Sequence, residues 1–142
     1  MRGTSTRAGG WLLLLCLLLL VWEPATFAAR ALGDLGALAF RGTPLLLVLL
    51  ADLAVTACGA AAGFSLLALR PAGVSLARLA LIVGSLVDIV RMTAPFVPNN
   101  QMPGDTPFLL TASLLYRAAW LLYLSRSQRV SVLQQDQGLR TD

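Results

Sequence analysis

Residues 44–69 are the longest apolar stretch of the chain, 26 positions in which Asp52 is the one charge, opened by Pro44 and closed by Arg70 and Pro71. About 20 apolar residues in a helix cross the hydrocarbon core of a bilayer, so this stretch predicts a transmembrane helix. Once one element sits in lipid, the rest of the chain must satisfy its backbone polar groups internally as well, which leaves helices as the way to span. Composition agrees. The chain is 57% hydrophobic and 13% charged over 142 residues, with a mean hydropathy of +0.75, whereas a soluble domain carries roughly 25% charged residues.

Two further stretches predict spans: residues 73–92, with Arg78 near one end and Asp88 and Arg91 near the other, and residues 107–124, with Arg117 inside. The segment between them contains Pro95, Pro98 and Pro103 together with Asn99, Asn100 and Gln101, and reads as a loop. The first apolar run is shorter, residues 11–22, and ends at Glu23-Pro24. It admits two readings. One is a secretory signal, with Arg2 and Arg7 before the apolar Leu12 to Leu20 and a cleavage site at Thr26-Phe27-Ala28. The other is a retained span over residues 10–29, kinked at Pro24. Residues 125–142 form a polar tail. Four spans use about 80 positions, so residues 1–142 are expected to form a single integral membrane domain: an all-α, polytopic transmembrane four-helix bundle.

Arginine placement sets orientation. Arg2 and Arg7 in the first tail, Arg70 and Arg78 in the second loop, and Arg126, Arg129 and Arg140 in the last tail outweigh the other two loops. In those, Arg30 and Arg41 are offset by Glu23 and Asp34, and Arg91 by Asp105. Both termini are therefore expected in the cytoplasm. Trp11, Trp120 and Tyr123 then fall at the cytoplasmic interface and Trp22 near the outer one.

A charge at the bilayer centre costs about 2.5–3.5 kcal/mol on insertion scales, so Asp52, Asp88 and Arg117 are expected to face other helices. Asp52, Thr56, Gly59 and Gly63 share one helical stripe, and Gly59 to Gly63 is a small-xxx-small pattern that admits a close neighbour, either within the chain or in a second copy. Gly84, Asp88 and Arg91 form a similar stripe, and Ser113 lies one turn before Arg117. By depth along their helices, Arg117 is expected to pair with Asp52, and Asp88 with Arg91 one turn away.

Several chemistries are missing. There is no histidine among the 142 residues, which excludes His-based triads, His-bound zinc and imidazole acid-base work. There is no Cys-x-x-Cys, phosphate loop or dinucleotide fingerprint, and Cys16 and Cys58 stand in apolar runs as small hydrophobes. The net charge of +4, all eleven cations being arginine, is spread over span ends and tails rather than gathered in a patch suited to nucleic acid. No enzyme activity, cofactor or metal is expected. The expected partners are the lipid bilayer and a membrane protein or further copies of the chain.

Two end motifs complete the reading: Gly9, Gly10 and Trp11 followed by leucines, with Pro24 later in the same segment, and Trp120, Tyr123, Ser125, Ser127, Arg129 and Val130 closing the fourth. Together they resemble an uncharacterised family of small bacterial inner-membrane proteins with four spans, catalogued as a domain of unknown function. The resemblance covers about residues 9–133, although only the two ends are distinctive. Glu23 before the proline departs from the family's uncharged residue. It implies a retained first helix and no known reaction. The function expected on these grounds is that of a non-catalytic accessory or interaction protein of the bacterial inner membrane. The alternative is a small transporter or channel-like subunit that uses its intramembrane Asp and Arg residues.

Overall fold

The computed structural model describes residues 10–70, 72–98, 102 and 104–127. Gly9, Arg129 and Val130 of the end motifs lie outside the described residues. The described chain is all-α: α1 (Trp11–Leu17), a π-helical turn (Leu18–Trp22), α2 (Glu23–Leu67), α3 (Ala72–Thr93) and α4 (Asp105–Arg126). Three helices are long and apolar enough to cross a membrane, Trp11–Leu67, Ala72–Thr93 and Asp105–Arg126.

The first of these folds back on itself. Gly42 has φ 67° and ψ −154°, a conformation essentially restricted to glycine, and Pro44 two residues on cannot donate to the helix before it. Beyond this break the second arm, residues 43–67, returns alongside the first, residues 11–41. Leu45 and Val48 pack with Ala37 and Leu38 near the bend, and Gly63 meets Cys16 and Leu20 near the far end, where an added Cβ would lie 2.8 Å from Leu20 Cγ. The small-residue stripe therefore serves an approach within the chain.

One expectation needs correction. Spans over residues 10–29 and 44–69 leave residues 30–43 as a loop, yet helix continues to the Gly42 break. Arg30 and Asp34 find charged partners inside the bundle, so their polarity does not require water. At Pro24 the chain remains helical. The π turn just before it lets the Glu23 N–H reach the Leu18 carbonyl, widening the helix where the proline ring would otherwise crowd the preceding turn.

The bundle has three tiers. At one end Leu12, Leu15, Cys16 and Leu19 pack with Ala62, Leu66, Val74, Ala77, Leu81, Trp120 and Leu124. At the other, Val97 joins Leu45 and Val48 in a smaller apolar cluster around the Gly42 bend. Between these two apolar tiers lie the buried charges. The larger tier also brings the two end motifs together: Trp11 and Trp120 stand edge to face at 6.4 Å, and Trp120 and Tyr123 at 5.7 Å, spacings at which aromatic pairs attract.

The α2–α3 turn is closed by a paired cap. The Arg70 N–H donates to the Ser65 carbonyl at 2.8 Å and the Leu69 N–H to the Leu66 carbonyl at 3.0 Å, a Schellman arrangement that satisfies the last carbonyls of α2. Leu69 pays for it with φ 54°, where a side chain costs about 1–2 kcal/mol. Leu69→Gly is expected to raise thermal stability in detergent by up to about 1 kcal/mol; a lower melting temperature would show that the leucine side chain contributes more than its backbone strain costs.

Candidate functional site: a charged cavity inside the bundle

Seven ionisable side chains from α2, α3 and α4 converge in the middle tier. Glu23, Arg30 and Asp34 come from the first arm, Asp52 from the second, Asp88 and Arg91 from α3, and Arg117 from α4. Asp34, Asp52, Asp88 and Arg117 are all buried. Burying them is tolerable only because each charge meets another.

The pairing differs from that expected from depth. Arg117 Nε donates to Asp88 Oδ2 at 2.8 Å, and the Ser113 hydroxyl donates to the same oxygen at 2.6 Å. Arg91 reaches away from its own helix, its Nη1 to Asp52 Oδ2 at 3.3 Å and its Nη2 to Asp34. Asp52 thus pairs with Arg91 rather than Arg117, and Asp88 with Arg117 rather than Arg91. The reason is helix order: α3 packs against both α2 and α4, so Arg117 meets the α3 carboxylate first. Gly84 provides the room. The Arg117 guanidinium lies over it so closely that an added Cβ would fall 2.3 Å from Nη1.

The remaining two groups are held more loosely. Arg30 Nη1 stands 3.9 Å from both Asp52 Oδ2 and Asp88 Oδ1, with its side chain 40% exposed. Glu23 Oε2 stands 3.8 Å from Arg117 Nη2, beyond hydrogen-bonding distance. Thr56 Oγ1 is spent on the Asp52 carbonyl at 2.8 Å, one turn back along its own helix.

Six of the seven ionisable groups, all but Asp52, line a half-open cavity of about 730 Å³, a size typical of small-molecule sites. Residues of the first arm from Trp22 to Asp34 form one wall and α4 from Leu109 to Arg117 the other, with Asp88, Arg91 and Met92 of α3 at its base and Val97 and Pro98 beside them. The walls meet at the Trp11–Trp120 contact and diverge towards the charged tier. Tyr116 also lines the cavity. Its hydroxyl is enclosed near Trp120, and its side chain packs partly against the larger apolar tier.

Of the residues singled out from sequence, Asp52, Asp88, Arg91 and Arg117 are thus brought together in one network. Gly84 opens the space for Arg117, and Gly59 lies in ordinary contact with Leu19. Gly10 precedes α1 and Ser127 follows α4, both remote from the cavity, as are Trp11, Trp120 and Tyr123. Sequence reasoning missed Glu23, Arg30 and Asp34 as members of the site. Their spacing of seven and then four residues carried the signal, because it places all three on one face of a single helix. Among the described residues, no three acidic or thiol side chains gather as metal ligands would; the carboxylates are separated by arginines.

No family model, curated protein or solved structure matches the chain.

Proposed function

We propose that this chain is a four-span integral protein of the bacterial inner membrane, with both termini in the cytoplasm, and that its charged cavity binds a small polar solute within a carrier or channel-like assembly. The cavity carries this reading. A bundle whose charges only locked helix register would fill its middle tier with side chains, whereas here the side chains of Glu23 and Arg30 border open volume without hydrogen bonds among the described residues.

The membrane placement is supported by the outward faces. Leu32 is 76% exposed, Phe40 90%, Leu47 62%, Phe64 67% and Leu115 65%, far more apolar surface than a soluble monomer leaves in water. Lipid would cover these positions. The arms on either side of Gly42 each count as one crossing in this reading, which keeps both tails on the arginine-rich side. No catalytic role is proposed for any residue.

An accessory role in the membrane, with the ion pairs acting only as ties between helices, is the competing reading; the burial of Arg117 against Asp88 favours it locally. Thiol labelling separates the two. Ala29 and Ala112 line the cavity, so Ala29→Cys and Ala112→Cys are expected to react with a charged, membrane-impermeant methanethiosulfonate. For a carrier, reaction occurs from outside in intact cells and from the cytoplasmic side in inverted vesicles, above the background of Cys16 and Cys58. If neither variant labels from either side, the accessory reading prevails.

A further inference from the structure

We infer that the cavity is a site for an organic ammonium cation, held by Glu23 with Trp22 and Tyr116; the inference rests on the cavity being a solute site. Charge counting comes first. The network holds four carboxylates, Glu23, Asp34, Asp52 and Asp88, against three guanidiniums, Arg30, Arg91 and Arg117. With all groups ionised it is one positive charge short, and in a low-dielectric interior such an imbalance is relieved by a bound cation or by a proton on one carboxylate.

The pairing geometry locates the deficit. Arg91 serves Asp34 and Asp52, Arg117 directs its Nε to Asp88, and Arg30 stands between Asp52 and Asp88. Glu23 is left with the far nitrogen of Arg117 at 3.8 Å and accepts no side-chain hydrogen bond among the described residues. It is the carboxylate that most needs a further partner, and it lines the cavity.

The surroundings of Glu23 define the kind of cation. Trp22 and Tyr116 line the same cavity as Glu23, and aromatic rings that share a cavity with a carboxylate suit an ammonium group through cation–π attraction. A primary ammonium also supplies N–H donors, which Glu23 can accept. A hydrated metal ion would gain little from the two rings. Leu109 and Ala112 on the α4 wall add apolar surface for a hydrocarbon or aromatic body attached to the ammonium.

The experiment uses three near-isosteric probes, benzylammonium, benzyl alcohol and benzoate, titrated calorimetrically into the full chain in detergent, with probe partitioning into empty micelles subtracted. Benzylammonium is expected to bind saturably and at least tenfold more tightly than either other probe. Glu23→Gln is expected to weaken it at least tenfold, and Tyr116→Leu and Trp22→Leu about threefold each, consistent with one cation–π contact. Benzylammonium is also expected to protect Ala112→Cys from thiol labelling, a readout that stands even if Glu23→Gln fails to fold. Equal binding of benzoate, or unchanged binding in both Glu23→Gln and Trp22→Leu, overturns the ammonium assignment. If Ala112→Cys labels from water but benzylammonium does not bind, the ligand class is wrong and the solute site survives; if neither labelling nor binding occurs, both readings fail.

Discussion

Asp88→Asn is expected to destabilise the folded chain by about 3 kcal/mol, at the lower end of the range for breaking a buried ion pair by removing one partner. Asp88 Oδ2 accepts from both Arg117 Nε and the Ser113 hydroxyl, and hydrogen bonds to a charged group contribute about 1.5–3 kcal/mol each. An asparagine oxygen can retain part of that geometry without the charge. Arg117, buried on α4, would then depend on Glu23 at 3.8 Å, too far for a hydrogen bond. The overall charge count pulls the other way, because removing any one carboxylate balances the network at three against three. The comparison with Glu23→Gln decides which effect governs. That substitution improves the balance in the same way but removes no hydrogen bond from Arg117, so it is expected to change stability by less than about 1 kcal/mol. Melting of the purified proteins in one detergent measures both. The double variant Asp88→Asn/Arg117→Gln should be less destabilised than the sum of its parts by 1 kcal/mol or more, the sign of direct coupling. Additive losses would mean that Asp88 and Arg117 do not depend on each other.

The limits of sequence reasoning follow from the same network. Hydropathy gave the helical class and the inward placement of Asp52, Asp88 and Arg117, because the cost of a charge in lipid acts on each residue separately. Pairing is not a property of single residues. Depth along a helix follows from residue number at 1.5 Å per residue, but which helix lies beside which does not, and it is the position of α3 next to α4 that gives Asp88 to Arg117. The extension of the first arm through residues 30–41 was obscured for a related reason. Arg30 and Asp34 read as loop polarity until Arg91, Asp52 and Asp88 are seen facing them. Gly42 and Pro44 were visible as breakers, yet only the packing of Gly63 on Cys16 and Leu20 shows that the break turns one long helix into two adjacent arms. The cavity was the least legible feature, since it arises where the first arm and α4 diverge above the Trp11–Trp120 contact.

Gly84→Ala is expected to change sign with its background. In the natural chain the new methyl carbon would lie 2.3 Å from Arg117 Nη1, 2.6 Å from Cζ and 3.0 Å from Nη2, distances that force the guanidinium aside. The obstacle is the end of a flexible side chain, so α3 need not bend; what is lost is the 2.8 Å bond to Asp88. Losing a charge-assisted hydrogen bond costs about 1.5–3 kcal/mol. Alanine returns up to about 1 kcal/mol through its better helix propensity, which leaves a net destabilisation of about 1–2 kcal/mol. In an Arg117→Gln background the shorter amide no longer lies over Gly84, the clash disappears and the propensity remains. There Gly84→Ala is expected to stabilise by up to about 1 kcal/mol. Four melting curves, for the natural chain, the two single variants and the double variant, give the result as a reversal of sign, which is insensitive to how detergent shifts the absolute values. If Gly84→Ala stabilises both backgrounds equally, the guanidinium does not need the space at Gly84, and the bond from Arg117 to Asp88 is not what joins α3 to α4.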